Sequence, residues 1–241
     1  MTASQNILAF IHEVAIFFPV YLLLFSFHGF FLAGIAKLLG DRSPSNKHFF
    51  TLNPFVHIKI LNFATLFCII YGANSLLGSS DIPQELIFLL LICLSYRWVI
   101  KNHTTSAILK YQRLNNILYS LATPISFLIL GFFSFVLIKI LNLNSLPDYA
   151  FFSIVEFLRS TIYASIFWGA VHCIPIPPFA AANIWYSLTP TSYHHTIDKL
   201  HQYDFIILLM IFLIPVCRMS FWLIVTTLRT TFENSFISIL F

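Results

Sequence analysis

Charged residues divide this chain into long apolar runs. Stretches free of Asp, Glu, Lys and Arg cover residues 14–36, 60–80, 114–138 and 160–197. A charge at the bilayer centre costs about 2.5–3.5 kcal/mol even on a lenient insertion scale, so such runs mark where a chain crosses lipid. About 20 apolar residues rising about 1.5 Å each cross a hydrocarbon core of about 30 Å, and the first three runs are each long enough. The fourth exceeds one crossing. It is punctuated by Pro175, Pro177 and Pro178, which withhold amide donors and predict that a helix ends or breaks sharply there. A further span is expected over residues 204–227, where Arg218 must snorkel or face protein. Segment 85–100 has a short uncharged core, Leu86 to Tyr96, and either crosses or re-enters.

Basic residues set the orientation. Arg42, Lys47 and Lys59 follow the first run, and Arg97, Lys101, Lys110 and Arg113 precede the third, whereas the opposite loops hold Asp81, Glu85 and Asp148. The positive-inside bias then places the basic loops in the cytosol and the N-terminus outside, which requires 85–100 to cross and gives about six spans. If that segment is re-entrant, the two basic loops fall on opposite sides.

Composition agrees with this pattern. Of 241 residues, 59% are hydrophobic and only 9% charged, against about 25% charged in a soluble domain. A net charge of +4 spread over this length is too dilute for a nucleic-acid footprint. Cys68, Cys93, Cys173 and Cys217 lie in or beside apolar runs without CxxC spacing, which argues for buried thiols rather than disulfides or a zinc ribbon. MTASQN at the start lacks a basic n-region, so the first apolar run is expected to be retained.

Four local patterns then carry the chemistry. They are Phe27-His28-Gly29-Phe30-Phe31-Leu32 in a helix closing at Gly40-Asp41, Thr51-Leu52-Asn53-Pro54-Phe55-Val56-His57-Ile58, Leu121-Ala122-Thr123-Pro124, and His172-Cys173-Ile174-Pro175-Ile176-Pro177-Pro178-Phe179-Ala180-Ala181. In order and spacing, over residues 20–185, they resemble the site-2 protease family of intramembrane zinc metalloproteases. That family has an HExxH helix ending in Gly-Asp, a Leu-Asn-Pro-x-x-His-Ile-Asp segment, an Ala-Gly-Pro helix start and an Asn-x-x-Pro-x-Pro-Pro-Leu-Asp-Gly motif. Two imidazoles one helical turn apart and a distant Asp hold the zinc, and the adjacent Glu acts as general base on its water.

Counting back from Gly40-Asp41, the resemblance places His28 on the first family His, Gly29 on the Glu and Leu32 on the second His. Ala180 stands at the Asp ligand. It therefore implies a protease-like scaffold from which the chemistry has been removed, with no catalytic residue and no cofactor expected. Asn53, Pro54, Pro175, Pro177 and Pro178 are the candidate groove for an unwound peptide segment. The prolines should also free carbonyls at bilayer depth, which only protein or a water-filled cavity can cover.

Competing readings attach to the other histidines. A rewired site of His28, His57 and His172 would give an open, His-rich sphere fit for zinc, and hence an active endopeptidase. His12-Glu13 looks like half of an HExxH motif but meets Ile16 at the second His position. His194, His195 and His201, with Asp198, read as a solvated loop. Region 81–113 departs from the family, carrying Tyr96-Arg97-Trp98-Val99-Ile100-Lys101-Asn102 where the family has a Pro-Val-Pro type segment, so the family's hairpin is either replaced by a helix or kept without its signature.

The fold expected is all-α and polytopic, one integral membrane domain over residues 1–241, with about six spans and a Pro-broken helix in a site-2 protease-like bundle. The function expected is a pseudoprotease of a bacterial inner membrane. Its partners would be membrane lipid and transmembrane protein segments or an active protease. A third reading is a structural or assembly subunit or transporter fragment, in which Glu156, Arg159 and Arg218 mark the contact surface or pathway.

Overall fold

The structure, a computed structural model, describes residues 3–41, 49–59, 62, 64, 112–141, 148–177, 179–196, 199, 203, 206, 207, 210 and 214–240. Among these there is no strand. The helices are α1 (Ala3–Leu38), the single turn α2 (Pro54–His57), α3 (Gln112–Leu141), α4 (Asp148–His172), α5 (Ala180–Leu188) and α6 (Pro215–Leu240), with a 3-10 turn at Thr191–Tyr193. The runs 60–80 and 85–100, the departing region 81–113, Arg42, Lys47, Pro178, Asp198 and His201 lie outside or, in part, outside the described residues.

Three of the described helices are long and apolar enough to cross a membrane: Val14–Leu38, Arg113–Ile140 and Ser153–His172. The first two coincide with charge-free runs. The third begins earlier than the run at 160–197 and includes Glu156 and Arg159. Arg159 is exposed and Glu156 lies 3.8 Å from His12 of α1, and a side chain as long as that of Arg159 can reach along the helix toward polar surroundings. The span expected over 204–227 is described in part: Ile206, Ile207 and Met210 are helical, and Pro215 opens α6, whose apolar part ends at Leu228. A proline is tolerated at a helix start, where its missing amide would have no intrahelical partner.

The side chains of α3 show why this is a lipid-facing bundle. Asn115, Ser120, Thr123, Ser126 and Ser134 are buried, whereas Leu114, Leu118, Leu121, Ile125, Phe133, Leu137 and Ile140 are exposed. This inverts the pattern of a helix at a water-facing surface. Small and weakly polar residues face neighbouring helices, and large apolar ones face outward, as packing inside lipid demands. Two of the inward hydroxyls bond within their own helices: Ser134 Oγ donates to the Leu130 carbonyl at 2.9 Å and Thr161 Oγ1 to that of Phe157 at 2.9 Å.

Helix α1 buries Val20, Tyr21, Leu24, Phe25, His28, Leu32, Ala33 and Ala36, a stripe of four-residue spacing that faces α3 and α4. It stops at Gly40, whose φ of 96° requires the left-handed region. There Asp41 N–H donates to the Ala36 carbonyl and Gly40 N–H to that of Lys37, the Schellman pairing that satisfies the last carbonyls of a helix.

Helices α3 and α4 pack most extensively and run antiparallel, since Gly131 meets Ser165 and Gly169 meets Leu128. A Cβ at Gly131 would stand 3.1 Å from Ser165 Cβ, and one at Gly169 would stand 3.2 Å from Leu128 Cδ2. Glycine is what lets the two backbones approach this closely. From Ala164 to Val171 every residue of α4 is buried. This makes α4 the central element, with α1, α3 and α6 around it.

After His172 the chain turns, and α5 starts at Ala180 beside α3. Some of the carbonyls that the prolines were expected to free are bonded inside the turn itself. Pro175 removes the donor for Val171, whose carbonyl instead accepts from Ile174 N–H at 3.1 Å. The Ile174 carbonyl accepts from Ile176 N–H at 2.8 Å. Phe179 N–H closes onto the Ile176 carbonyl at 2.9 Å. Short turns thus replace helical bonds, meeting the requirement that backbone groups at this depth be paired.

Candidate functional site

Polar chemistry in the described bundle centres on two histidines from different helices. His28, from the middle of α1, is 1% exposed and His172, the last residue of α4, is 3% exposed. Their ring centroids are 6.2 Å apart. Phe127 of α3 stacks on both, at 4.5 Å from His28 with 10° between planes and at 5.5 Å from His172. Trp168 and Phe179 complete the aromatic surroundings of His172.

Hydrogen bonds assign the tautomers of both rings. Ser126 Oγ lies 2.7 Å from His28 Nδ1 and donates its proton to the Thr123 carbonyl at 2.7 Å. A hydroxyl has one proton. Ser126 therefore accepts from His28, which carries its hydrogen on Nδ1 and leaves Nε2 in the acceptor role. His172 is the reverse. Its Nδ1 accepts the Ala180 amide at 3.4 Å, so a neutral His172 carries its proton on Nε2. The ring thereby takes up one of the amides at the start of α5, where Phe179 as N-cap makes no side-chain cap bond.

The sequence positions paired with His28 fall around it as follows. Gly29 and Leu32 are both buried, and Leu32 lies one helical turn after His28 on the inward face of α1. Ala180 is buried and joined to His172 through its amide. The stretch of α1 around His28, the middle of α3, the end of α4 and the start of α5 thus converge.

His57 belongs to a different arrangement. Asn53 caps α2 by accepting from Phe55 N–H at 3.0 Å, and Pro54 occupies the first helical position. The Val56 amide donates to the Asn53 carbonyl and that of Ile58 to Pro54. His57 is fully buried, stacks on Phe49 at 5.9 Å and bonds through Nε2 to the Thr51 carbonyl. This segment therefore organises itself over about ten residues and packs on α1.

Among the described residues no group of three or more His, Cys, Asp or Glu side chains is placed to hold a metal ion. Around His28, the side chains of Gly29, Leu32 and Ala180 offer no donor and His57 bonds to the Thr51 carbonyl through Nε2, which leaves His172 as the second imidazole near it among the described residues, fewer than the three protein ligands of a typical zinc site.

The remaining candidates are peripheral. Asn53 and Pro175 are exposed and Pro54 and Pro177 half-buried. His12 is exposed opposite Glu156. His194 stacks on Tyr186 at 4.3 Å and bonds to the Thr189 carbonyl at 3.1 Å, while His195 is exposed. Ser126, Phe127 and Trp168 were not singled out by the motifs. The signal that could have found Ser126 is the spacing of Asn115, Ser120, Thr123, Ser126 and Ser134 in an otherwise apolar run.

No family model matches this chain. No solved structure matches it either. A protein of Bacillus subtilis (strain 168) named "Putative zinc metalloprotease YwhC" is 24% identical to it over 200 residues, covering 82% of this chain and 80% of the relative.

Proposed function

We propose that this chain is a catalytically inactive, site-2 protease-like protein of a bacterial inner membrane. It holds single-span membrane segments, or a protease partner, without cutting them. The observation that carries this reading is the environment of His28. In working members of the resembled family this imidazole would share zinc with a second His one turn on and stand beside a Glu base. Here that turn carries buried Leu32, the neighbouring position is Gly29, and the ring is engaged by Ser126 and covered by Phe127. Ala180, at the third ligand position, contributes only its amide to His172.

Retention of clients needs none of the missing groups. Positioning residues and metal ligands are separate side chains, and the proline turn between α4 and α5 with exposed Asn53 and Pro175 supplies polar backbone and side chain at the margin of the bundle. Zinc plays no part in this reading, and six spans with the N-terminus outside remain its topology.

One observation favours a competing reading, the approach of His172 to His28 at 6.2 Å between centroids. With a further donor, two imidazoles could serve a zinc endopeptidase. Elemental analysis of the purified full chain separates the two. Inactivity predicts less than about a tenth of an equivalent of zinc, far below the full occupancy of a catalytic site. Stoichiometric zinc that is lost in His28→Ala would overturn it. Photocrosslinkers at Asn53 and Pro177 test client holding, which predicts adducts with co-purified membrane segments. Stable co-purifying subunits without such adducts would support a structural subunit instead.

A further inference from the structure

The end of α1, with the residues that flank Asn53 and Pro54, carries a surface that His28 does not use. Residues 49–51 fold back along the last turns of α1. Phe50 meets Phe30 edge-on at 6.4 Å, and Lys37 Nζ lies 4.8 Å from the Phe50 ring centroid. Phe30 lies about 12 Å along the helix from Leu38, so this contact tracks the outermost two turns of a membrane-crossing helix. In the same stretch of chain Leu38, Leu52 and Phe55 are 82%, 53% and 62% exposed, and Lys37 and Lys59 are exposed as well.

We infer that this surface binds an anionic phospholipid, with the Lys37 and Lys59 ammonium groups on the headgroup and Leu52 and Phe55 against the first acyl carbons. Position argues for lipid as the occupant, because a spanning helix ends at the interface and side chains exposed around that end meet lipid. Charge argues for an anionic one. From Lys37 to Lys59 the sequence has four Lys or Arg against Asp41 alone. Basic residues immediately beside a membrane span are attracted to anionic leaflets. Apolar side chains flanked by lysines are also how interfacial segments seat themselves. The inference requires only that α1 crosses the bilayer, so it stands or falls independently of the inactive-protease reading.

The test uses the full chain equilibrated in nanodiscs of equimolar POPC and POPG at low salt, then extracted and weighed by native mass spectrometry with its retained lipid. At roughly fivefold per lysine, reduced by screening, POPG should be retained over POPC by about tenfold. Lys37→Gln with Lys59→Gln should bring the ratio below about twofold. Lys37→Arg with Lys59→Arg should keep the ratio, which shows that the loss comes from charge rather than misfolding. Leu52→Ala with Phe55→Ala should lower total retained lipid while preserving the POPG bias. Equal retention of the two lipids by the unaltered chain would overturn the inference, as would a bias that survives the Gln pair. A photocrosslinker at position 55 should label lipid; labelling chiefly a protein would assign the surface to a protein partner and overturn it too.

Discussion

Two buried histidines of this chain sit in motif-like segments and are wired in opposite ways. His57 bonds to Thr51, six residues back, inside a turn that Asn53 caps and Pro54 starts. His28 bonds to Ser126, 98 residues on, and shares a ring stack with residues of α3 and α4. The first is a local device that shapes one loop. The second ties helices together, and its loss should be felt by the whole bundle. Burial does not distinguish them, since both are nearly inaccessible; the sequence distance to the partner does.

The largest effect is expected from His28→Ala. It removes a ring packed 4.5 Å from Phe127 and leaves Ser126 without its donor. A large-to-small change in a packed core costs about 3 kcal/mol. Denaturant or SDS unfolding should show that loss in the global transition. His57→Ala should cost less, about 1–2 kcal/mol, and should chiefly raise proteolysis of the loop containing residues 49–58. A larger global loss from His57→Ala than from His28→Ala would break the comparison.

Ser126→Ala comes next. It leaves the His28 Nδ1 hydrogen facing an apolar methyl, and cross-helix polar contacts inside lipid reach at most about 1.7 kcal/mol. We expect about 1.5 kcal/mol from unfolding. With His28→Phe as background the same change should cost near zero, because the hydrogen that Ser126 accepted is gone. A double-mutant cycle with a coupling below about 0.3 kcal/mol would show that the pair is only a close approach.

The local region should respond more weakly. Asn53→Ala removes the acceptor for Phe55 N–H and should cost about 1 kcal/mol, whereas Asn53→Asp or Asn53→Ser should retain most of the cap. Amide exchange at Phe55 and Val56 reads this directly. Equal acceleration in the middle of α3 would mean that the turn is coupled to the bundle after all.

These contrasts also explain what was legible in the sequence. The spans at Val14–Leu38 and Arg113–Ile140 follow from charge-free runs, because the exclusion of charge from lipid acts residue by residue. The Ser153–His172 helix starts before the charge-free run at 160–197 and includes Glu156 and Arg159, because a span admits charges whose long side chains can reach polar surroundings. Asn53-Pro54 and Gly40-Asp41 were visible because caps are built from adjacent residues. Ser126 and Phe127 were not, since a hydroxyl or ring in an apolar helix gives no local indication of which distant side chain it will meet. His28 and His172 were visible only as members of motifs. Their approach, and the opposite tautomers that it accompanies, came from the packing of α1 against α3 and α4.

The smallest expected effect bears on function. Gly29→Glu restores, by resemblance, the general-base position beside His28, yet it should yield neither cleavage of a single-span reporter nor zinc uptake. A carboxylate activates a metal-bound water only if the metal is held, and holding it takes about three protein ligands with a fourth position left for water. After this change Leu32 and Ala180 still offer no side-chain donor at the two other ligand positions. The added carboxylate would enter a buried position, so the variant should also lose stability, and its folding must be checked by circular dichroism before activity is scored. Reporter cleavage by folded Gly29→Glu, sensitive to a zinc chelator, would mean that ligands are supplied in some other way and that His28 stands in a working centre.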